Sequence, residues 1–377
     1  MHECDVTRFE ATQRSPAYVR ERGSQQFVEV YDVLHPLQPM EQPRPLRVSP
    51  FHARQQQLGA SSWRAPAGSA RTGTRRTPRS WTPSASCPSA TPWSARYWSP
   101  VAAAEARATR EKVALYDMTP LRRLEVTGPG ALAFLDRMTS NNLRKKPGAV
   151  TYTLLLDETG GIRPISPSPG SPPTASQVGA NSPADLDWLL RHAPDGVQIR
   201  DITSGTCCVG VWGPLARALV QPLTGDDFPT KARATSGRSR RTSDMCPVTA
   251  MRLSYVGELG WELVHHGRPR AAAWDTLWEA GRELGVVAAG RSASNSLRLE
   301  KGYRAMGHRH DRRAHPSRGG PRFAVRMDKE DFVGKAALRR AQEPARRLTP
   351  LLLDDPAAVV LGKGAGTPTA PRPVGCY

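Results

Sequence analysis

A chain of 377 residues can hold two or three domains, but 35 Pro, 32 Gly, 38% hydrophobic and 6% aromatic residues describe a globular protein diluted by poorly folding sequence. The net charge of +19 is local: residues 64–95 contribute +5, residues 230–245 +4 and residues 307–322 +4. Scattered basic tracts without interleaved aromatics argue against a nucleic-acid surface, and the lack of any apolar run of about 18 residues argues against a membrane span.

In chain order, residues 1–63 read as ordinary folded sequence, with apolar alternation at Phe27, Val28, Val30, Tyr31, Val33 and Leu34 and a proline-punctuated stretch over 35–50. Periodicity is lost from 64 to 92, so 64–95 is expected to be a basic disordered linker. A helix-like mix of Ala, Glu and Arg over 102–113 precedes a strand at 124–127. Gly128, Pro129 and Gly130 make a turn, and Leu132, Leu135 and Met138 at threefold spacing mark a short amphipathic helix over 131–138. Residues 151–156 read as a buried strand, closed by the turn formers Asp157, Glu158, Thr159, Gly160 and Gly161.

After a Pro/Ser lapse at 163–176, Ser182 as N-cap, Pro183 at the first helical position and Asp185 at the third start a helix that runs to about 191. Strands at 207–212 and 251–255 follow, then a helix at 272–284 that buries Trp274, Leu277 and Trp278. The tracts at 230–245 and 307–322 interrupt this pattern, order resumes at Phe323, and 362–377 carry no capping element. The abrupt edges of the basic blocks favour out-of-frame translation of a GC-rich gene over long native loops.

The common catalytic templates are absent: there is no GxGxxG, GxxxxGK[ST], GxSxG or HExxH. Cys4, Cys87, Cys207, Cys208, Cys246 and Cys376 show no CxxC spacing and read as reduced thiols. His308, His310 and His315 sit in a basic tract without paired carboxylates or cysteines, so no metal site is expected. The N-terminus has neither a basic n-region nor an apolar h-region, which makes a cytoplasmic location the default. The block Leu253-Ser254-Tyr255-Val256-Gly257-Glu258-Leu259-Gly260-Trp261-Glu262 is different, because a strand, a Gly-bounded turn and a second strand place Glu258 and Glu262 near one hairpin. From residue chemistry alone they are either solvated turn acids or site carboxylates.

That block resembles the strand-turn motif of the glycine-cleavage T-protein (aminomethyltransferase) family. Further blocks match in the same order: Val113-Ala114-Leu115-Tyr116-Asp117-Met118-Thr119-Pro120-Leu121, Leu124-Glu125-Val126-Thr127-Gly128-Pro129, Met138-Thr139-Ser140-Asn141-Asn142-Leu143, Ser296-Leu297-Arg298-Leu299-Glu300-Lys301-Gly302 and Phe332-Val333-Gly334-Lys335-Ala336-Ala337-Leu338. The stretch 35–57, with Pro43-Arg44-Pro45-Leu46-Arg47, and Tyr97-Trp98-Ser99-Pro100 resemble the end of the flavin domain and the junction in dimethylglycine and sarcosine oxidases or dehydrogenases.

The resemblance implies an α+β T-protein-like folate-binding domain over 96–326 and a truncated C-terminal β-barrel domain over 327–377. Residues 1–63 would be a remnant of the C-terminal end of a flavin (amino-acid oxidase-like) domain. It also implies tetrahydrofolate-dependent one-carbon transfer, in which a flavin domain oxidises an N-methyl amine and folate captures the small iminium product. FAD would belong to the parent enzyme, its own binding domain being absent here, and a separate flavin subunit is left open as a partner. Glu262 would hold the pterin edge, Tyr255 would line the pocket, and Arg298 would add positive charge. The family's catalytic Asp after the Gly-Gly turn is missing, since Gly160-Gly161-Ile162-Arg163 runs into Pro164-Ile165-Ser166. Activity is therefore doubtful on this reading. The alternatives are a non-catalytic folate-binding regulatory protein and a basic nucleic-acid-binding protein.

Overall fold

A computed structural model of the chain describes residues 9–31, 48–65, 68–74, 100–146, 148–163, 165–166, 175–180, 183–225, 228, 234–238, 247–267, 271–304, 316 and 321–341, with 352, 354, 365–366 and 374–375 beyond them. The first block is helical. Helix α1 (Pro16–Glu29) starts with Pro16 in its first turn and the Ser15 hydroxyl accepting from the Tyr18 amide at 3.4 Å. It runs through Phe27 and Val28, so the alternation seen there is not a strand pattern.

The short helix α2 (His52–Gln57) follows Phe51, which is fully buried with its ring centroid 5.4 Å from that of Trp274. Arg54 forks onto Asp275 at 2.7 and 2.9 Å, and the Gln55 amide donates to Asp117 Oδ2 at 2.8 Å. The tract read as a disordered linker instead begins as an antiparallel hairpin, β1 (Ala60–Ala65) and β2 (Gly68–Thr74), because alternate pairing of backbone groups does not need an apolar pattern. The remainder of that tract, 75–95, lies outside the described residues.

The main body then unfolds in order: α3 (Pro100–Glu111), β3 (Ala114–Asp117), β4 (Arg122–Thr127), α4 (Ala131–Met138), β5 (Leu155–Leu156), β6 (Ile162–Arg163), β7 (Ile165–Ser166), β8 (Ala175–Ala180), α5 (Pro183–His192), β9 (Gln198–Asp201) and β10 (Thr206–Trp212). It continues with α6 (Ala216–Val220), β11 (Ala234–Arg238), β12 (Pro247–Met251), β13 (Gly260–His266), α7 (Ala271–Ala280), β14 (Val287–Ala289), α8 (Arg291–Glu300) and α9 (Lys335–Arg340), before the two-residue strands β15 (Ala365–Gly366) and β16 (Val374–Gly375).

Two sheets organise these elements. The larger has strand order β11-β12-β13-β10-β3-β14, antiparallel except for the parallel pair β3–β14. Its central strand β10 is buried at every position. One face carries Leu115, Val209, Val211, Trp261 and Leu263 into a core with Phe51, Trp274 and Leu277. The opposite face carries Tyr116 and Trp212 toward Val256 and Leu297, and Cys208, Met251 and Val264 toward Val150. The smaller sheet, β7-β8-β4-β9, packs Leu124, Val126 and Val178 on Phe134, Leu135, Met138 and Leu189 of α4 and α5. Helix α4 thus buries the stripe its spacing announces.

Several sequence expectations shift in register. The strand expected over 151–156 pairs only at Leu155–Leu156, although 153–156 are all buried. The strand expected at 251–255 ends at Met251, since 252–259 leave the ladder to form the connection into β13. The interrupting tract 230–245 carries a strand of its own: Ala234–Arg238 pair with β12 as the sheet edge, and 239–246 lie outside the described residues. So do Ser182, the three histidines of the third basic tract, and most of the barrel expected over 327–377. Among the described residues, no helix is long and apolar enough to cross a membrane, and no group of three or more His, Cys, Asp or Glu could hold a metal ion.

Candidate functional site

The sheet register places three positions side by side: Tyr116 on β3 opposes Gly210 on β10, and Gly210 opposes Glu262 on β13, which in turn opposes Met251 on β12. Side chains directly opposite in adjacent strands share a face, so Glu262 lies on the face that carries Tyr116, Trp212, Cys208 and Val264. Glycine at 210 is required there. A Cβ at that position would meet the Trp212 ring at 2.9 Å. Trp212 is itself fixed, because its indole N–H donates to the Leu253 carbonyl at 2.8 Å and its ring lies 4.9 Å from that of Tyr116. The Tyr116 hydroxyl is held 2.7 Å from Thr109 Oγ1.

Glu262 is half-buried, and among the described residues no hydrogen bond or ion pair reaches its carboxylate. Burial pushes this carboxyl up to about 7, against the opposing field of the Arg123 guanidinium. The Cys208 thiol beside it is driven well above the ordinary thiol range by burial and by the proximity of Glu262. Glu258 is different in kind. It pairs with Arg110, which also pairs with Glu300, so it ties the connection before β13 to α3 and α8. Within that connection Gly257 takes φ +81°, and a Cβ there would overlap the Lys301 side chain.

Of the residues picked from sequence, the structure brings Tyr255 and Arg298 together. Tyr255 is half-buried, packs with Tyr116, Trp212 and Leu297, and donates its hydroxyl to the Arg304 carbonyl at 3.0 Å. Burial raises its ionisation, while Arg298 and Arg291 act to lower it. The Arg298 guanidinium is buried and donates to Asn295 Oδ1 at 2.7 and 3.0 Å and to the Tyr303 carbonyl at 3.1 Å. Tyr152 joins the group, its ionisation raised by burial and by Tyr255, and it stacks on the exposed Phe323 at 5.5 Å. Charge reaches Glu262 from Arg123 rather than from Arg298. Sequence reasoning did not single out Arg123, Tyr116, Tyr152, Gly210 or Trp212. Only Gly210, an isolated glycine inside an apolar strand, carries a local signal of close approach.

Asp157 is committed to the turn that it opens. Its Oδ1 accepts from the Thr159 amide at 3.0 Å, the Thr159 hydroxyl at 2.6 Å and the Gly161 amide at 2.9 Å.

The chain belongs to the glycine-cleavage T-protein (aminomethyltransferase) family. The family model described as the GCVT N-terminal domain matches residues 60–329, and the model of the FAD dependent oxidoreductase central domain matches residues 1–49. The particular relatives point the same way. The chain is 31% identical, over 94% of its length, to 4-methylaminobutanoate oxidase (formaldehyde-forming) of Paenarthrobacter nicotinovorans, and 34% identical, over 66% of its length, to mitochondrial dimethylglycine dehydrogenase of Homo sapiens. It spans 43% of the first relative and 30% of the second. The crystal structure of the glycine cleavage system aminomethyltransferase T from Bartonella henselae superposes with a TM-score of 0.62 over 78% of this chain and 74% of that one, at 20% identity. This likeness bears out the expected α+β T-protein-like fold.

Proposed function

We propose that the chain binds tetrahydrofolate at Glu262 and serves folate-dependent one-carbon transfer, as the folate half of a flavoenzyme that oxidises a small methylated amine. The observation that carries this reading is the Glu262 carboxylate, held on a central strand with no hydrogen-bond donor among the described residues. A half-buried carboxylate costs free energy unless donors reach it, and a pterin edge offers paired N–H groups of the kind that charge-assisted bonds favour. Tyr255 and the Tyr116–Trp212 pair would wall the site, and Arg298 would add positive charge beside Tyr255. Tetrahydrofolate, when bound, supplies the nucleophilic nitrogen that captures the iminium carbon. FAD chemistry is assigned to the parent enzyme, through the region that contains 1–49 or through a separate flavin subunit.

A second reading, folate binding without transfer, is favoured by one observation. No acid follows Ile162 before Asp185, and Asp157 is occupied by its turn. Calorimetric titration with tetrahydrofolate tests the binding claim. Saturable binding that Glu262→Ala abolishes supports it; no binding by a folded sample, or affinity unchanged in Glu262→Ala, overturns it. Formation of methylene-tetrahydrofolate from an added iminium source then separates the two readings.

A further inference from the structure

Arginines 122 and 123 stand next to each other at the start of β4, both buried, and their surroundings are opposite. Arg122 is neutralised by Glu10 and Asp201. Arg123 is bound only by neutral oxygens: its Nε donates to Thr206 Oγ1 at 2.7 Å, Nη1 to the carbonyls of Leu121 at 2.9 Å and Met118 at 3.3 Å, and Nη2 to the carbonyls of Thr119 at 3.0 Å, Thr206 at 3.4 Å and Thr203 at 3.5 Å. Among the described residues no carboxylate stands within ion-pair distance of it. Hydrogen bonds to carbonyls satisfy the N–H groups but leave the positive charge uncompensated, and a buried charge in that state acts on whatever titrates around it.

The groups around Glu262 are few. His266 lies on its own strand, Cys208 on β10, Tyr116 on β3 with Asp117 at its end, Tyr255 in the connection before β13, and the β12 partner is the apolar Met251. Asp117 is engaged by the Gln55 amide and by the Thr119 amide, and the Cys208 thiol stays neutral. Among the described residues, Arg123 is the fixed cation that the fold brings to this face: its Nη1 donates to the Met118 carbonyl, the Met118 amide donates to the Cys208 carbonyl at 2.9 Å, and Cys208 stands two residues along β10 from the Gly210 that opposes Glu262, while the Thr206 anchor of Arg123 opposes His266. Its field accordingly bears on Glu262, Cys208 and His266.

We propose that Arg123 is a positioning residue that supplies, through space, the counter-charge for Glu262, and so sets the pH above which Glu262 accepts its ligand. The inference deepens the folate reading and rests on it for the identity of that ligand. The electrostatic part stands without it. A cation placed at a distance, rather than in a salt bridge, holds the carboxylate ionised while leaving both of its oxygens free for a ligand's donors. A direct ion pair would occupy them.

The test uses the ligand-free full chain with ¹³C-labelled glutamate, in which the Glu262 carboxyl resonance is identified by its loss in Glu262→Gln and followed as a function of pH. In Arg123→Gln, which keeps a hydrogen-bonding side chain and loses the charge, the Glu262 midpoint should move up by on the order of one pH unit. In Arg123→Lys, which keeps the charge and loses most of the bonds, it should stay near the wild-type value. A midpoint unmoved in Arg123→Gln, or moved equally in Arg123→Lys, overturns the proposal. If Arg123→Gln does not fold, the lysine variant still decides, because a raised midpoint there contradicts a role for charge. Tetrahydrofolate affinity measured across the same pH range should follow the midpoint, falling about tenfold in Arg123→Gln below it and recovering above it. Absence of binding by wild-type protein, with the resonance still shifting as expected, would fault the folate reading and not this one.

Discussion

Two glutamates on neighbouring sheets meet opposite fates. Glu125, on β4 of the smaller sheet, is partly buried as well, but its carboxylate accepts from the exposed Arg200 of β9, whose Nε lies at 3.2 Å. Glu262, on β13 of the larger sheet, is half-buried with no such partner among the described residues. Glu125 has its counter-ion inside the fold, on an exposed arginine side chain. The difference teaches where to look for function: on the folate reading proposed above, the carboxylate with no donor among the described residues takes its donors from the ligand.

The sharpest way to break the comparison is ligand affinity. Glu262→Ala should weaken tetrahydrofolate binding on the order of 100-fold, as expected for loss of charge-assisted bonds, whereas Glu125→Ala should leave the titration unchanged. Comparable losses in both variants would erase the distinction.

Next in size is the pH dependence of stability. The Glu262 carboxyl titrates near 7 in the folded chain, against an ordinary value of 4.5. Folded and unfolded states are both protonated below 4.5, the unfolded state ionises first as pH rises, and the folded state therefore loses stability between 4.5 and about 7. Relative to Glu262→Gln, the wild type should lose about 2–3 kcal/mol across that window, read from denaturant midpoints at fixed pH. A flat difference would mean that the carboxylate is already satisfied.

Gly210→Ala follows, at about 1–3 kcal/mol of destabilisation, because the new methyl meets a Trp212 ring that its bond to Leu253 prevents from yielding. Equilibrium unfolding checks this, and a neutral substitution would show that Trp212 can move. Smallest of all, removing either partner of the Glu125–Arg200 pair should change stability by less than about 1 kcal/mol, with salt masking even that.

Much of the scaffold was legible in the sequence. The threefold spacing of Leu132, Leu135 and Met138, the proline start at Pro183, and the apolar run ending at Trp212 each announced the element that forms, because each signal is local. Tyr255, Glu262 and Arg298 were legible only through resemblance to a family. What stayed hidden depends on pairing across the chain. That Tyr116, Gly210 and Glu262 share one row follows from strand register, and residues about 50 to 150 positions apart carry no mark of it. Arg123 was invisible for the same reason, since all but one of its acceptors are main-chain oxygens that any sequence supplies. The hairpin β1–β2 and the edge strand β11 were missed because a basic, Ser/Thr-rich composition looks disordered, yet their backbones pair without an apolar alternation.

Phe51 has a consequence for anyone who would divide the protein. It belongs to the ten residues between the segment that matches the FAD dependent oxidoreductase central domain and the one that matches the GCVT N-terminal domain, and it sits at the bottom of the larger core against Trp274. Cutting at the boundary that family matching suggests would pull a plug from the GCVT-like module. A piece beginning at Ala60 would carry a hole of phenyl size, a loss of about 3–5 kcal/mol by the usual cost of such vacancies. The seam between the two ancestries therefore runs through the interior, and the two parts are better inherited, expressed and studied as one body.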